Sequence, residues 1–409
     1  MPGEAPAVHR RHQRHALTGL PHRDSFQRAV ASRHGSLNAY GVSLPFVQRL
    51  VKHAHWGISS IGRASGWQPE GQGFKSPILH SLVGSRLNAM NSPVETPPSS
   101  AVQRGELAWV NGVAIPRQSL SLPVGDAGFV LGATVTEQLR TFRGRLFLPD
   151  AHRDRLRESL ATVGIQPAQP LDEVLAAAAQ VASHNHAAGA TANDLGLVIF
   201  VTPGDQPSQH GGRGSDPRTV VHTFPLAFQL WADAYTSGMA LRSVSVRQVP
   251  DACWPVQAKV RSRLHYYLAD REAHAAEPGS RAVVCHLDGR VSETSTANIA
   301  IVRHGAILTP PPSDALTGVS LRCAETLATT LGIAWQARSL TDADLAGADE
   351  ILLTSTPNCI LPATRFNGRA VGTGRPGPIY QSLLAAWSSL VGLDIAAQAR
   401  SWASQSPDG

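Results

Sequence analysis

From Leu107 onward, short apolar runs alternate with pairs of turn-forming residues: Asn111-Gly112, Arg143-Gly144, Asp288-Gly289, His304-Gly305 and Asn367-Gly368. Asn-Gly and Asp-Gly pairs accept the positive φ that matches the twist of paired strands, so they predict tight hairpins. So many hairpins imply antiparallel or mixed sheets and argue against a doubly wound parallel fold. Other stretches repeat at the helical period. Leu156, Leu160 and Val163 share one face of a helix that Asp150 is expected to cap, and Val319, Cys323, Leu327 and Leu331 step by four along another, with Thr317 as its expected cap. A third helix runs from about Ile379 through Leu383 and Trp387, and the Ala-rich stretch 171–193 is helical in part. The Gly-, Ser- and Pro-rich stretch 204–217 reads as a loop. The expectation is an α+β fold of two domains, 105–230 and 238–395, with a joint near 231–238. An unstructured leader, 1–104, would precede them, and a frayed tail, 396–409, would follow.

Composition changes the picture mainly at the front. Residues 1–89 keep no sustained period, and carry 11 Lys and Arg against Glu4, Asp24 and Glu70, with eight of the 17 histidines. The remaining chain has 25 basic and 27 acidic residues, a net charge of −2, so the body offers no basic surface for nucleic acid. A basic nucleic-acid-gripping arm is one reading of 1–89. The favoured one is different: Gly57-Ile58-Ser59-Ser60-Ile61-Gly62-Arg63 through Gly73-Phe74-Lys75-Ser76-Pro77 resembles a conceptual translation across a transfer-RNA gene, with Phe74-Lys75-Ser76 matching the T-arm. Translation would then start at Met90. The intact mass of natively expressed protein is expected to lack residues 1–89, and finding them present overturns this reading.

No apolar run reaches the ~18 residues of a membrane span, and no apolar stretch follows the N-terminal basic residues, so a cytoplasmic location is expected. Cys253, Cys285, Cys323 and Cys359 lack metal-ligand spacing and read as reduced, small buried residues, with no metal site implied.

Between Met90 and Gly409 there is one lysine, Lys259, against 24 arginines. Chance survival of a surface lysine would explain the count. So would chemistry closed to guanidinium, since a lysine amine can shed its proton and attack a carbonyl carbon, as it does with pyridoxal phosphate. That cofactor needs a carboxylate for its pyridine nitrogen and a nest of donors for its phosphate. Glu293, in a hydroxyl-rich segment after the Asp288-Gly289 turn, is the candidate carboxylate. Gly318, Val319 and Ser320 open a helix whose first N–H groups suit a dianion. Ser355 and Thr356 follow an apolar strand, and Arg155 lies on the helix after Asp150. Taken singly, each has a plainer reading: a strand-edge Glu, ordinary capping, a solvated helix Arg.

In order along the chain, however, these pieces resemble the class IV aminotransferases of pyridoxal-phosphate fold type IV, over about residues 108–392. Asp126-Ala127-Gly128-Phe129-Val130-Leu131-Gly132 with Glu137-Gln138-Leu139-Arg140 resembles "RGFLYGDGVFETLR", and His152-Arg153-Asp154-Arg155-Leu156 resembles "HLxRL". Lys259-Val260-Arg261-Ser262-Arg263-Leu264 resembles "KxxNRL", Glu293 falls in "VxExxxxNI", and Leu316-Thr317-Gly318-Val319-Ser320-Leu321-Arg322 resembles "LPGITR". Thr356 and then Gly374-Arg375-Pro376-Gly377-Pro378 resemble the phosphate threonine and the closing "GxGxPGP". The resemblance implies a homodimer in which Lys259 holds pyridoxal 5′-phosphate as a Schiff base and moves the Cα proton, Glu293 holds the pyridine nitrogen, and Arg155 contacts the phosphate. It implies transfer of an amino group from a branched-chain or other apolar amino acid to a 2-oxo acid. The alternatives are a pyruvate-releasing lyase of the aminodeoxychorismate type, a D-amino acid aminotransferase, and, in another class, a cofactor-binding or basic-arm interaction protein without turnover.

Two departures affect the substrate. The strand expected to read "VTRG" reads Val201-Thr202-Pro203-Gly204, and Pro203 binds no carboxylate; Arg140, His222 and Arg263 are the remaining candidates. Thr136 also stands where "GDGVFE" carries an aromatic.

Overall fold

A computed structural model describes residues 105–189 and 193–404. The expected leader, including 1–89 and Met90, lies outside the described residues.

Six strands, β1 (Leu107–Val110), β2 (Val113–Pro116), β3 (Val135–Phe142), β4 (Arg145–Leu146), β5 (Leu195–Thr202) and β6 (Arg218–Pro225), form one sheet in the order β2-β1-β6-β5-β3-β4. All its pairings are antiparallel. Asn111-Gly112 (φ 46° and 93°) turns β1 into β2, and Arg143-Gly144 (φ 52° and 73°) turns β3 into β4. Positive φ at both central residues is the geometry the sequence predicts. The short helix α1 (Ala127–Val130) precedes β3, and α2 (Pro149–Val163) and α3 (Leu171–Ala188) cover one face of the sheet. Alanines 177, 178 and 182 let α3 lie close to the sheet, where Val174 and Val181 meet Leu139, Leu197 and Ile199. Asp150 does not cap α2. Pro149, with fixed φ and no N–H to satisfy, takes the first helical positions and leaves Asp150 in the first turn.

The second sheet is mixed, as expected. It contains β7 (Met239–Arg247), β8 (Arg281–Cys285), β9 (Val291–Thr294), β10 (Asn298–Arg303), β11 (Ala306–Thr309), β12 (Trp335–Ala337), β13 (Glu350–Ser355), β14 (Cys359–Phe366) and β15 (Arg369–Ala370). Its order is β12-β11-β10-β13-β14-β7-β8-β9, with β15 on β14; β7 runs parallel to β8 and β14. His304-Gly305 and Asn367-Gly368 again have paired positive φ, whereas Asp288 does not and only Gly289 (φ 86°) turns left-handed. One further pairing, Asn298 to Glu293, brings β9 back against β10 and closes six strands into a ring. That closure fixes the position of Glu293.

Helices pack around this ring: α4 (Ala234–Ser237), α5 (Leu264–Ala276), α6 (Val319–Thr330), α7 (Asp342–Ala346), α8 (Pro378–Val391) and α9 (Ile395–Ala403). Ala269 and Ala273 of α5 pack with Val244, Ala282 and Val284 of β7 and β8. The larger core joins Leu327 of α6, Leu383 and Trp387 of α8, and Ala399 of α9 to Ile299, Ile301 and Leu352 of the sheet. The expectation of a frayed tail after Ala396 therefore fails as far as Ala403: Asp394 caps α9, and Gln398 binds Asp194 and Arg140. Thr317 is not a cap either, because α6 begins after Gly318 and has no side-chain cap. No single described helix is long and apolar enough to cross a membrane.

Candidate active site

Lys259 reaches its place through backbone pairing. Thr136 donates its N–H to the Lys259 carbonyl (3.0 Å), Arg261 donates to Thr134 O (2.9 Å), and Val260 bridges Val135, so residues 259–261 extend β3 sideways. Alternation along an extended segment turns Val260 toward the core under the first sheet and Lys259 the opposite way. Burial and the neighbouring Arg155 push the Lys259 ammonium down to about 8; Arg263 adds to the effect, while Glu137 and Glu293 oppose it.

Arg155 projects from α2 onto β3. Its Nε and Nη2 donate to Glu137 Oε1 and Oε2 (2.8 and 2.7 Å), and its Nη1 reaches Thr317 O at 3.4 Å, at the threshold of α6. His152 Nδ1 lies 2.7 Å from Glu137 Oε2. Burial opposes charge on Glu137, but Arg155 and His152 outweigh it and hold the carboxyl at about 2. Burial also lowers the proton affinity of His152, more than Glu137 restores it.

Glu293 is held from two sides. Tyr266 Oη of α5 donates to Oε1 (2.6 Å), and Asn298 Nδ2 donates to Oε2 (3.0 Å). Burial raises its proton affinity; Tyr266, Lys259, Arg263 and Arg155 oppose the shift. Gln248 Nε2 donates to Tyr266 Oη (3.0 Å) and to Ser292 Oγ (3.1 Å), so the tyrosine is itself braced. Asn298 also donates to Leu316 O (2.7 Å) and lies against Gly318, where any Cβ would collide with its Oδ1. Glycine at 318 is thus what lets the start of α6 approach the Glu293 strand.

The structure brings Lys259, Arg155, Glu293 and the Gly318-Val319-Ser320 turn together. Val319 and Ser320 are buried in the first turn of α6, leaving its leading N–H groups without a capping side chain. Ser355 ends β13 beyond Thr354, which pairs with Asn298, and Thr356 begins the turn that follows. Among the described residues no hydrogen bond or ion pair joins either to Lys259, Arg155 or Glu293; Ser355 Oγ donates to Asn358 Oδ1 (3.1 Å). Arg140 proves structural. It is 1% exposed, its Nη1 donates to Pro357 O (2.7 Å) and its Nη2 to Gln398 Oε1 (3.0 Å), which leaves it no role at a substrate. His222 is half-buried beside the Phe200 ring. The cysteines are free. Three are buried as expected and Cys253 is exposed; among the described residues no cluster suits a metal ion.

Tyr266 and Gln248 were not foreseeable as site residues. Tyr266 stands on a helix with exposed aromatic and apolar neighbours, Tyr267 and Leu268, and nothing local separates it from a core residue.

These residues fit pyridoxal phosphate on observations of the chain itself. An amine, a hydrogen-bonded carboxylate and an uncapped helix start converge, and the buried hydroxyls of Thr354 and Ser295 lack any partner. Buried polar atoms without partners mark places where a ligand can supply them.

A family model for amino-transferase class IV matches residues 134–366. The D-alanine aminotransferase of Bacillus licheniformis is 27% identical over 275 residues, covering 67% of this chain and 93% of that protein. The branched-chain-amino-acid aminotransferase of Escherichia coli is 27% identical over 297 residues, covering 70% and 94%. The crystal structure of Escherichia coli branched-chain amino acid aminotransferase superposes with a TM-score of 0.64 at 24% identity, covering 71% of this chain and 94% of that one, a likeness of fold. With the family model spanning more than half of its residues, the chain belongs to the class IV aminotransferases.

Proposed function

We propose that this aminotransferase moves an amino group between a branched-chain or other apolar amino acid and a 2-oxo acid, with pyridoxal 5′-phosphate held covalently through the Lys259 amine. The observation that carries this reading is the convergence of Lys259 and Glu293 at the start of α6. Family membership supports the cofactor, and a solved branched-chain amino acid aminotransferase of similar fold (TM-score 0.64) carries pyridoxamine 5′-phosphate.

When bound, the cofactor supplies an electron sink for the pair left at Cα. The chain's own residues do the rest. Lys259, whose amine burial and Arg155 make easier to deprotonate, would take the proton from the substrate Cα and deliver it to the cofactor carbon that keeps the amino nitrogen, with the reverse transfer in the 2-oxo acid half. Glu293, fixed by Tyr266 and Asn298, holds a proton on the ring nitrogen. The leading N–H groups of α6 and the Arg155 guanidinium receive the phosphate. A homodimer in the cytoplasm completes the proposal. Phe129, Leu131 and Leu264, exposed at 70%, 61% and 70%, offer apolar surface to a second copy.

The test is an absorption titration of protein incubated with pyridoxal phosphate, adding L-leucine and D-alanine in turn, then a 2-oxo acid. The expected result is a cofactor band that shifts with L-leucine and returns with the 2-oxo acid. Response to D-alanine alone moves the chain to the D-amino acid branch, pyruvate released without an acceptor makes it a lyase, and no response to any donor ends the proposal.

A further inference from the structure

Positive charge around Lys259 exceeds what the local carboxylates can neutralise. Glu137 is taken by Arg155 and His152, and Glu293 is engaged by Tyr266 and Asn298. Arg261 and Arg263, two and four residues beyond Lys259, make no ion pair among the described residues. Arg263 lines the same cavity as Lys259, Glu293, His265 and Trp254. Its guanidinium lies 4.6 Å over the Tyr266 ring and donates to Ser295 O. Arg261 stacks 5.7 Å over the Phe200 ring, its Nε 3.4 Å from Thr136 Oγ1. In the extended segment 259–261 it points to the same side as Lys259. A guanidinium laid on an aromatic face is held in orientation while most of its five N–H donors stay free, the disposition that suits a carboxylate.

We propose that Arg263 and Arg261 are the substrate's carboxylate anchor, Arg263 inside the cavity receiving the acid group beside the reacting carbon and Arg261, outside the cavity lining but on the Lys259 side of the segment, adding a second guanidinium. The inference rests on the aminotransferase reading for the identity of the substrate, but the binding of an organic acid can be measured without turnover. It also explains how a chain with Pro203 just past β5 could still hold an acid.

The experiment is calorimetric titration of the full-length protein, incubated with pyridoxal phosphate, with 4-methylvalerate, an aliphatic acid with neither amino nor oxo group; its amide is the control. The acid should bind and the amide should not. Arg263→Gln should weaken the acid about ten- to hundredfold, the range for losing hydrogen bonds to a charged group. Arg263→Lys should recover part of the loss. Arg261 is exposed, so Arg261→Gln leaves the core undisturbed and should weaken the acid several-fold even if the Arg263 variants fold poorly. KM for the amino donor should rise in step while kcat changes less. If Arg263 served only to steady Tyr266 against Glu293, Arg263→Gln would shift the cofactor's visible absorption and leave acid binding intact, which overturns the anchor. Amino transfer with unchanged acid affinity and KM in both Gln variants overturns it as well. Acid binding that depends on the arginines in a protein that transfers no amino group leaves the anchor standing and removes the aminotransferase reading instead.

Discussion

Lys259→Ala is expected to reduce amino transfer by at least about 10³-fold, within the range for loss of a positioned proton-transfer group and with covalent attachment lost besides. The absorption of the variant should resemble free cofactor, and its melting temperature should stay within a few degrees of the wild type, because Val260 and the pairing of 259–261 with β3 hold the segment in place. A variant that keeps more than a tenth of the wild-type rate would remove Lys259 from the chemistry. The same group gives a pH dependence in the cofactor-free protein. Its amine titrates near 8, so below that pH the nucleophilic fraction falls about tenfold per unit, and above it the fraction levels off. Capture of pyridoxal phosphate, followed by absorbance in a stopped-flow mixer, should therefore rise from pH 6 to 8 and flatten beyond. An unshifted lysine would keep rising past pH 10.

Scarcity, one lysine in an arginine-rich body, only drew attention to Lys259, and the order of the motifs around it supplied its expected role. The hairpins were legible because their signal is local: Asn111-Gly112 and Asn367-Gly368 carry their own backbone preference wherever they occur. Arg155, Glu293 and Gly318 were placed by motif order, and the structure gathers them. The residues that escaped sequence reasoning depend on partners distant in the chain. Tyr266 matters only because the ring closure of β9 on β10 sets Glu293 opposite it, 27 residues on. Arg140 resembled an anchor until the turn after β13 and helix α9 supplied Pro357 O and Gln398 as its partners, more than 200 residues away. Two helix starts differ from the expected caps, one for a local reason and one for a tertiary reason. Pro149 displaced Asp150, and the close packing of Gly318 on Asn298 displaced Thr317.

Glu137→Gln is expected to cost about 3–5 kcal/mol of folding stability, measured by urea denaturation of the cofactor-free protein at pH 7. Glu137 is fully buried and is the counter-charge of Arg155, itself 7% exposed; an isosteric amide leaves that guanidinium buried without compensation. Linkage gives a similar magnitude. A carboxyl held at about 2 in the fold and near 4.3 when unfolded contributes about 3 kcal/mol. The sign follows from the direction of the shift: the contribution is fully present above the unfolded value and is lost as pH falls through the folded one. The wild type should therefore lose this part between about pH 4.3 and 2, a dependence missing from Glu137→Gln. His152, whose proton affinity burial also lowers, weakens the wild-type fold in acid from about pH 6.5 downward, because the unfolded chain takes up that proton first. Equal acid sensitivity in wild type and variant below pH 4.3 would show that Glu137 carries no depressed titration. The pair would then have to be read as part of the phosphate site alone, with Arg155 tolerating the loss of its partner.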